Sequence, residues 1–399
     1  MPGLDGWEIA ARVHQTDSTC PVIILTGLAE IDDREASGRP GVAGLLLKPC
    51  STEDLVRVIA SVTTPGPAMG HYEINRHQPK AGRHLSMNVL VTGGMGNLGS
   101  RLAARLVERG DRVTVLDLRP RPLEDSPALH RCRLLTADIA DLAALQPVLE
   151  GGSFDSIFHL AAMLSSDSEQ DSERAWRVNL EGTRHILQAA AAHDIARVIF
   201  ASSTASFGPG LPPLVGVDSP QWPASLYGAT KVAGERLGVY FYHRFGLDFR
   251  GLRIPAVVAP RGAGGGATAF CSEIFAHAVH HGRYEFYVEP HAARPLIYID
   301  DAVRALLDLH DAPEDNLTRR VYQLAGTPAT AREMAAAVLE RLPGVTFSYR
   351  PEPVRNAIVL SLPLHFDDSH AARDWNWAQR YNLGAMTERM LHELQEDAP

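Results

Sequence analysis

The stretch from residue 88 to 119, NVLVTGGMGNLGSRLAARLVERGDRVTVLDLR, constrains this chain more than any other. An apolar run, Val89, Leu90 and Val91, leads into Thr92, Gly93, Gly94, Met95, Gly96, Asn97, Leu98 and Gly99. Leu102, Leu106 and Val107 then fall on one helical face, and a second apolar run stops at Asp117. The order is strand, glycine turn, helix, strand, acid. Glycines let the backbone turn tightly and lie close to a pyrophosphate. The helix N-terminus offers free N–H groups and a partial positive charge to the phosphates. A carboxylate about 20 residues on can accept both ribose hydroxyls of an adenosine. Dinucleotide binding through Gly93, Gly96, Asn97, Leu98, Gly99 and Asp117 is therefore expected; the plain alternative is a glycine-rich turn that only packs a helix. NAD is favoured over NADP, because Asp117 would repel a 2′-phosphate and neither Met95 nor Asn97 brings a cation. Arg119, two residues past the acid, argues the other way.

Strands and helices keep alternating downstream, which implies a parallel sheet covered on both faces. Residues 133–135 read as a strand leading to Asp138 and Ile139, where an acid can meet the adenine amino group or cap the helix expected over 142–149. Residues 156–160 form the next strand and end in His159-Leu160-Ala161-Ala162, small enough to lie beside a cofactor. A long helix over 175–191 carries Asn179. A strand over 197–202 runs into Ser203. Tyr227 and Lys231 follow, four apart and so on one face of a helix reaching about residue 245. A free phenol has a pKa near 10 and is a poor base at neutral pH. A lysine ammonium at about 4 Å, at an effective dielectric near 20, favours the phenolate by roughly 4 kcal/mol. That is about three pKa units and would make Tyr227 a working base. Ser203 would hold the substrate oxygen. A tyrosine and lysine at this spacing also occur by chance on many helices; the preceding dinucleotide turn is what gives the pair meaning.

TGGMGNLG, Asp138-Ile139, HLAA, Asn179-Leu180-Glu181-Gly182-Thr183, FASSTASFG and YGATK together resemble the extended short-chain dehydrogenase/reductase family, over residues 87–399. The resemblance implies a Rossmann-type doubly wound α/β fold with a smaller C-terminal substrate-binding region. The NAD-binding core would span about 87–255 and the substrate region mainly 256–399. It puts Ser203, Tyr227 and Lys231 on catalytic positions, and Asn179 on an asparagine that supports a proton-relay water. Leu160, Ala161, Ala162 and Pro255 fall on the cofactor side. Further downstream, HLAAMLSSDSE, GLRIPAVVAPRGAGGGATAF and YIDDAVRALLDLHDAP look like the NAD-dependent L-threonine 3-dehydrogenases of this family. Those enzymes oxidise the C3 hydroxyl to 2-amino-3-oxobutyrate. Ser165 and Thr268 match substrate-pocket positions there, and the glycine loop 262–266 matches a mobile flap. Their structural alternatives are a solvated serine and a helix-capping threonine. Ala267 and Ala269 stand where those dehydrogenases often have Thr and Asp. Arg294 stands where an apolar residue is expected in those dehydrogenases; in sugar-nucleotide epimerases of the same superfamily an arginine here meets phosphate, and in this chain it could hold an amino-acid carboxylate or merely cover the surface beside Tyr298. An NDP-sugar epimerase or dehydratase with tightly bound NAD, or an erythronate-type sugar-acid dehydrogenase, are the competing readings. Against the former, Arg253-Ile254-Pro255-Ala256 lacks the amide that would bind a nucleotide-sugar. The resemblance also implies a homodimer formed through the helices over 175–191 and 233–245.

The first 62 residues resemble the second half of a response-regulator receiver domain: MPGLDG at residues 1–6, Thr26 after PVIIL, and Lys48-Pro49. Helices are expected over 7–13 and 51–61, and strands over 21–25 and 44–47. In that family the phosphoacceptor aspartate precedes the Met-Pro pair, so this is an incomplete flavodoxin-like fragment, expected to be incapable of phosphotransfer. It reads as a truncated fusion or a misplaced start, Met87 being a natural beginning for the enzyme. Residues 63–86, rich in Pro, Gly and His without periodicity, read as a linker.

The formal net charge of −9 offers no basic field for nucleic acid. The four cysteines, Cys20, Cys50, Cys132 and Cys271, form no C-x-x-C pair and the histidines are scattered, so neither a disulfide framework nor a metal site is expected. Neither a signal peptide nor a run of about 18 apolar residues is present, which gives the expectation of a cytoplasmic enzyme with a small-molecule substrate and no membrane partner.

Overall fold

The structure, a computed structural model, describes residues 13, 15–16, 22–26, 42–47, 86–119, 127–260 and 266–396. The chain divides into two compact units, Met1–Ala81 and Gly82–Pro399. In the first, β1 (Val22–Thr26) and β2 (Val42–Leu47) pair in parallel, close to the two strands expected there. The helices expected over 7–13 and 51–61, the segments 1–6 and 48–49 and the linker lie, apart from Val13 and Ser86, outside the described residues.

In the second unit, β3 (Asn88–Thr92), β4 (Arg112–Asp117), β5 (Arg133–Thr136), β6 (Ser156–His159), β7 (Arg197–Ser203), the short β8 (Leu214–Val215), β9 (Asp248–Ile254), β10 (Ala256–Val258), β11 (Arg283–Phe286), β12 (Ala293–Tyr298) and β13 (Val321–Gln323) follow in order. Seven of them form one sheet, β13-β9-β7-β6-β3-β4-β5, in which every neighbouring pair is parallel. Alternate residues feed opposite faces. Val89, Val91, Val113 and Val115 join one apolar core; Leu90, Leu116, Ile157 and Val198 join the other. Helix α1 (Asn97–Glu108) buries Leu102, Leu106 and Val107 in the first core. Helix α2 (Leu142–Glu150) buries Leu145 and Leu149 in the second. After β3 the sheet grows toward β5, and from β6 it grows the other way. The carboxyl ends of β3 and β6 therefore diverge, which opens a crevice where doubly wound sheets bind ligands.

Beyond β6 come α3 (Ser165–Gln170) and α4 (Ser172–Trp176). The latter runs through a wider π-helical turn, Arg177–Glu181, into α5 (Gly182–Ala192). The long helix expected over 175–191 is thus present but underwound at Asn179, and such turns are frequent at functional sites. Helix α6 (Leu226–Phe245) carries Tyr227 and Lys231; its N-cap, Ser225, accepts the Gly228 N–H. A Cβ on Gly228 would lie 2.2 Å from the Ala205 carbonyl, so only glycine lets α6 press against the segment after Ser203.

Helices α7 (Phe270–His281), α8 (Ile299–Asp311), α9 (Ala331–Leu339) and α10 (Pro353–Ser361) complete the region around the substrate end. There β12 pairs in parallel with β10 and antiparallel with β14 (Thr327–Thr330), and β11 pairs with β15 (Thr346–Tyr349). The C-terminal half is not a separate layer, since β13 extends the main sheet beside β9. Among the described residues no helix is long and apolar enough to cross a membrane, and no group of three metal-ligating side chains converges.

Candidate active site

A cleft of about 1080 Å³ runs along the carboxyl ends of the strands. It is lined by Gly93, Gly96, Asn97, Leu98, Gly99, Asp117, Asp138, Ile139, Leu160, Ala161, Ala162, Ser165, Ser203, Tyr227, Lys231, Pro255, Thr268 and Arg294. Of the residues expected to form the site, Asn179 alone is absent from this wall.

At one end the wall is the glycine turn. Gly93 adopts φ +69°, and a Cβ on Gly99 would sit 2.2 Å from the Gly93 carbonyl oxygen. The turn is therefore as tight as main chain allows, and the N-terminus of α1 faces the crevice with no side-chain cap. One Asp117 oxygen accepts the Met95 N–H at 3.0 Å and the other accepts the Leu118 N–H at 2.8 Å, which fixes the carboxylate at the tip of β4. These residues fit a dinucleotide: a backbone cradle without side chains, an open helix end and an anchored acid. Asp138 does not cap α2. Asp141 does so, accepting from Ala143 and Ala144, because the chain turns once more between the two acids. Asp138 instead lies 3.6 Å from the Arg174 guanidinium at the rim.

Beneath the turn sits a buried ring that sequence reading did not single out. His159 meets Thr92 Oγ1 at 2.7 Å and Thr183 Oγ1 at 3.0 Å. Thr183 in turn donates to the Asn179 carbonyl. Burial, helped by the charge of Lys231, lowers the His159 pKa to about 3, so this imidazole is neutral and ties β3, β6 and α5 together.

At the centre, Lys231 donates to the Ala201 carbonyl at 2.7 Å and stands 5.5 Å from the centre of the Tyr227 ring. Burial lowers its pKa to about 8, against the pull of Glu235. The Tyr227 phenol is pushed up to about 12 by burial, while a hydrogen bond with Ser203 pulls it down. At the phenol, burial outweighs the Ser203 hydrogen bond, and the Lys231 ammonium is engaged with the Ala201 carbonyl. Ser203 Oγ also accepts the Ala205 N–H, which fixes the hydroxyl at the end of β7. Asn179 clamps the chain after HLAA, since its Oδ1 accepts from Met163 N–H and its Nδ2 donates to the Met163 carbonyl and to Thr230.

At the other end, a Cβ on Gly266 would lie 3.8 Å from Ser165 Oγ, so the segments of Ser165 and Thr268 face each other across the cleft. Thr268 does not cap α7; Ala269 occupies that position, without a side-chain bond. Arg294, at the start of β12, is 2% exposed.

The family model described as NAD dependent epimerase/dehydratase matches residues 89–325. Mitochondrial L-threonine 3-dehydrogenase of Bos taurus is 35% identical over 327 residues, 80% of this chain and 86% of its own. The chain belongs to the NAD dependent epimerase/dehydratase family. Among solved structures, an L-threonine dehydrogenase from Cupriavidus necator, in its holo form, superposes with a TM-score of 0.72 at 32% identity, covering 77% of this chain and 99% of its own. A monomeric L-threonine 3-dehydrogenase of metagenomic origin, in its apo form, superposes at 0.73 with 30% identity, covering 77% and 99%. A response regulator receiver domain model matches residues 1–60, in keeping with the resemblance read there.

Family membership makes the chain an enzyme of the short-chain dehydrogenase/reductase type that works with a nicotinamide cofactor. Behind its central residues lies a network missed in the sequence. Glu235, fully buried, accepts from Arg253 Nε at 2.9 Å and Nη2 at 2.7 Å, from Ser202 at 2.5 Å and from Gln221 at 3.1 Å. Glu235 sits four residues after Lys231 on α6, and that spacing was the available signal. The wall formed by Val354, Ile358 and Leu362 was also missed, because no local pattern links α10 to the cleft.

Proposed function

We propose that this enzyme oxidises the C3 hydroxyl of L-threonine or of a close hydroxy acid, with NAD as the acceptor. The observation that carries the reading is that Ser203, Tyr227 and Lys231 open on the same cleft as the glycine turn. The Tyr227 oxygen takes the hydroxyl proton, and Ser203 donates a hydrogen bond to the substrate oxygen as charge develops on it. Tyr227 first gives up its own proton to solvent; Lys231, in its ammonium form, stabilises the phenolate so formed, and that phenolate is the base that then takes the hydroxyl proton. Bound NAD would supply the hydride acceptor. Burial holds the resting phenol near 12, so loss of its proton would need the positive charge of bound oxidised nicotinamide beside that of Lys231. Asp117 favours NAD over NADP by repelling a 2′-phosphate. Asn179, holding Met163, positions the loop that leads to Ser165. Ser165, Thr268 and Arg294 hold the carbon skeleton and carboxylate. A homodimer through α5 and α6 belongs to the same reading and is checked by size exclusion.

The test is NADH formation by the purified chain, followed at 340 nm with L-threonine, non-amino hydroxy-acid analogues, L-serine and a UDP-sugar. Turnover of a C3 secondary alcohol, well above L-serine and the UDP-sugar, is expected. Tyr227→Phe should lower kcat by about 10³-fold or more while NAD still binds. Wild-type rate in that variant would remove Tyr227 from the chemistry.

A further inference from the structure

The substrate end of the cleft carries a charge imbalance. The Arg294 guanidinium is buried, and its pKa falls to about 10 through that burial. Its Nη1 donates to the carbonyls of Leu362 and Pro363, at 3.3 and 3.2 Å, and its Nε has no partner. Among the described residues no carboxylate pairs with it. A cation buried without an acid is costly, and the cost is recovered when an anion arrives. The guanidinium fork suits a carboxylate or phosphate, to which it forms short charge-assisted bonds. A second cation, Arg355, lines the same wall with its guanidinium over the Tyr287 ring at 4.4 Å.

The acids are placed differently. Asp117 and Asp138 line the cleft at the tips of β4 and β5, around the cradle for the adenosine. Asp167 and Glu169 on α3 are exposed, and Glu169 is engaged with the Leu226 N–H at 2.8 Å. Beside Thr268 the buried position 269 is alanine. Among the described residues, then, this end holds a buried cation and no buried anion, so it desolvates a substrate carboxylate well and an ammonium poorly.

We infer that the enzyme's substrate is a short hydroxy acid lacking an ammonium group, its anionic group held by Arg294. This rests on the oxidation reading above and narrows its substrate class. The chemistry of threonine is kept, but the neighbour of the oxidised carbon bears a hydroxyl or hydrogen in place of the amine. Arg294 selects the substrate and takes no part in proton transfer.

The experiment compares L-threonine, 3-hydroxybutyrate and 2,3-dihydroxybutyrate, both enantiomeric series, on the full chain. At least a tenfold higher kcat/KM is expected for one of the two non-amino acids. Arg294→Leu should raise KM for that acid at least tenfold, with NAD affinity unchanged, and Arg294→Lys should recover part of it. A thermal-unfolding readout separates recognition from structure. The Leu variant should melt no lower than wild type without ligand, because an unpaired buried charge has gone, yet should lose the Tm rise given by the non-amino acid with NADH. A lower ligand-free Tm with unchanged substrate preference would mean that Arg294 merely ties down residues 362–363, and the inference would fall. L-threonine turning over as well as or better than both analogues would also overturn it, leaving the oxidation reading intact. Should no compound yield NADH while NAD binds, the oxidation reading fails, and the Tm rise with 2,3-dihydroxybutyrate and NADH, present in wild type and absent in Arg294→Leu, still decides whether Arg294 is the anion site.

Discussion

Under Asp117 the cleft wall is main chain; under Arg294 it is side chain. The first end comes from one short segment, where Gly93 and Gly99 are forced by contacts of the backbone with itself and the acid is pinned by the Met95 N–H. The second is assembled from residues near 165, 268, 294 and 362, which meet only after β12 has joined β10 and α10 has closed over them. A ligand at the first end meets a surface whose shape is set by covalent geometry. A ligand at the second meets single side chains, each worth one contact. The difference predicts that changes at the cofactor end act through the backbone and are large, whereas changes at the substrate end act one contact at a time and are small.

Gly99→Ala tests the first half of that statement. Its Cβ would meet the Gly93 carbonyl at 2.2 Å and the Gly94 Cα at 2.6 Å, both main-chain atoms with nowhere to retreat. The turn must open, at a cost of roughly 1–3 kcal/mol of strain. NAD affinity should fall about 100-fold, with Tm lower by several degrees. Fluorescence titration with NADH checks it; near-wild-type affinity would mean that the turn is softer than its packing implies.

The next effect is on stability rather than on affinity and depends on pH. His159 sits under the cofactor end, neutral, with its folded pKa lowered from 6.5 to about 3 mainly by burial. Below pH 6.5 the unfolded chain takes up a proton that the folded protein refuses until about pH 3. Its contribution is therefore complete above pH 6.5 and is lost as the pH falls through that window, by up to about 4 kcal/mol at the acid end. His159→Gln removes the titration while offering a donor and an acceptor to Thr92 and Thr183. Urea denaturation between pH 7 and 4 should show a shallower loss of stability in the variant. An equal slope would show that the ring is not the acid-sensitive strut beneath the turn.

The same contrast explains what the sequence made legible. The glycine turn, Asp117, the parallel sheet and the Tyr227–Lys231 pair were readable because each depends on spacing within one segment. The pKa of Tyr227 was not, since it depends on how deeply α6 presses onto β7, a distance that no i,i+4 rule contains. Nor was the Glu235–Arg253 pair, whose partners lie on different elements. Whether Asp138 caps α2 was left open by the sequence; Asp141 takes that place, and only the turn geometry separates the two acids. Ser165 and Thr268 were placed through resemblance rather than spacing. That their segments line one cleft follows from how the chain brings the start of α3 and the stretch before α7 together, not from either segment's own residues.

Thr268→Ala probes the substrate end with the smallest expected effect. Because Ala269 holds the cap position of α7, the Thr268 hydroxyl is not needed to start that helix. Losing it should leave Tm within about 1 °C of wild type. If the hydroxyl contributes one hydrogen bond to substrate, its loss costs roughly 1 kcal/mol, or about fivefold in KM, with kcat little changed. A fall in Tm would instead identify a structural threonine, and an unchanged KM would move the substrate away from the Ser165–Thr268 gap. A fivefold effect here beside a 100-fold effect at Gly99 would fit a cleft whose cofactor end is fixed by its backbone and whose substrate end is open to change one side chain at a time.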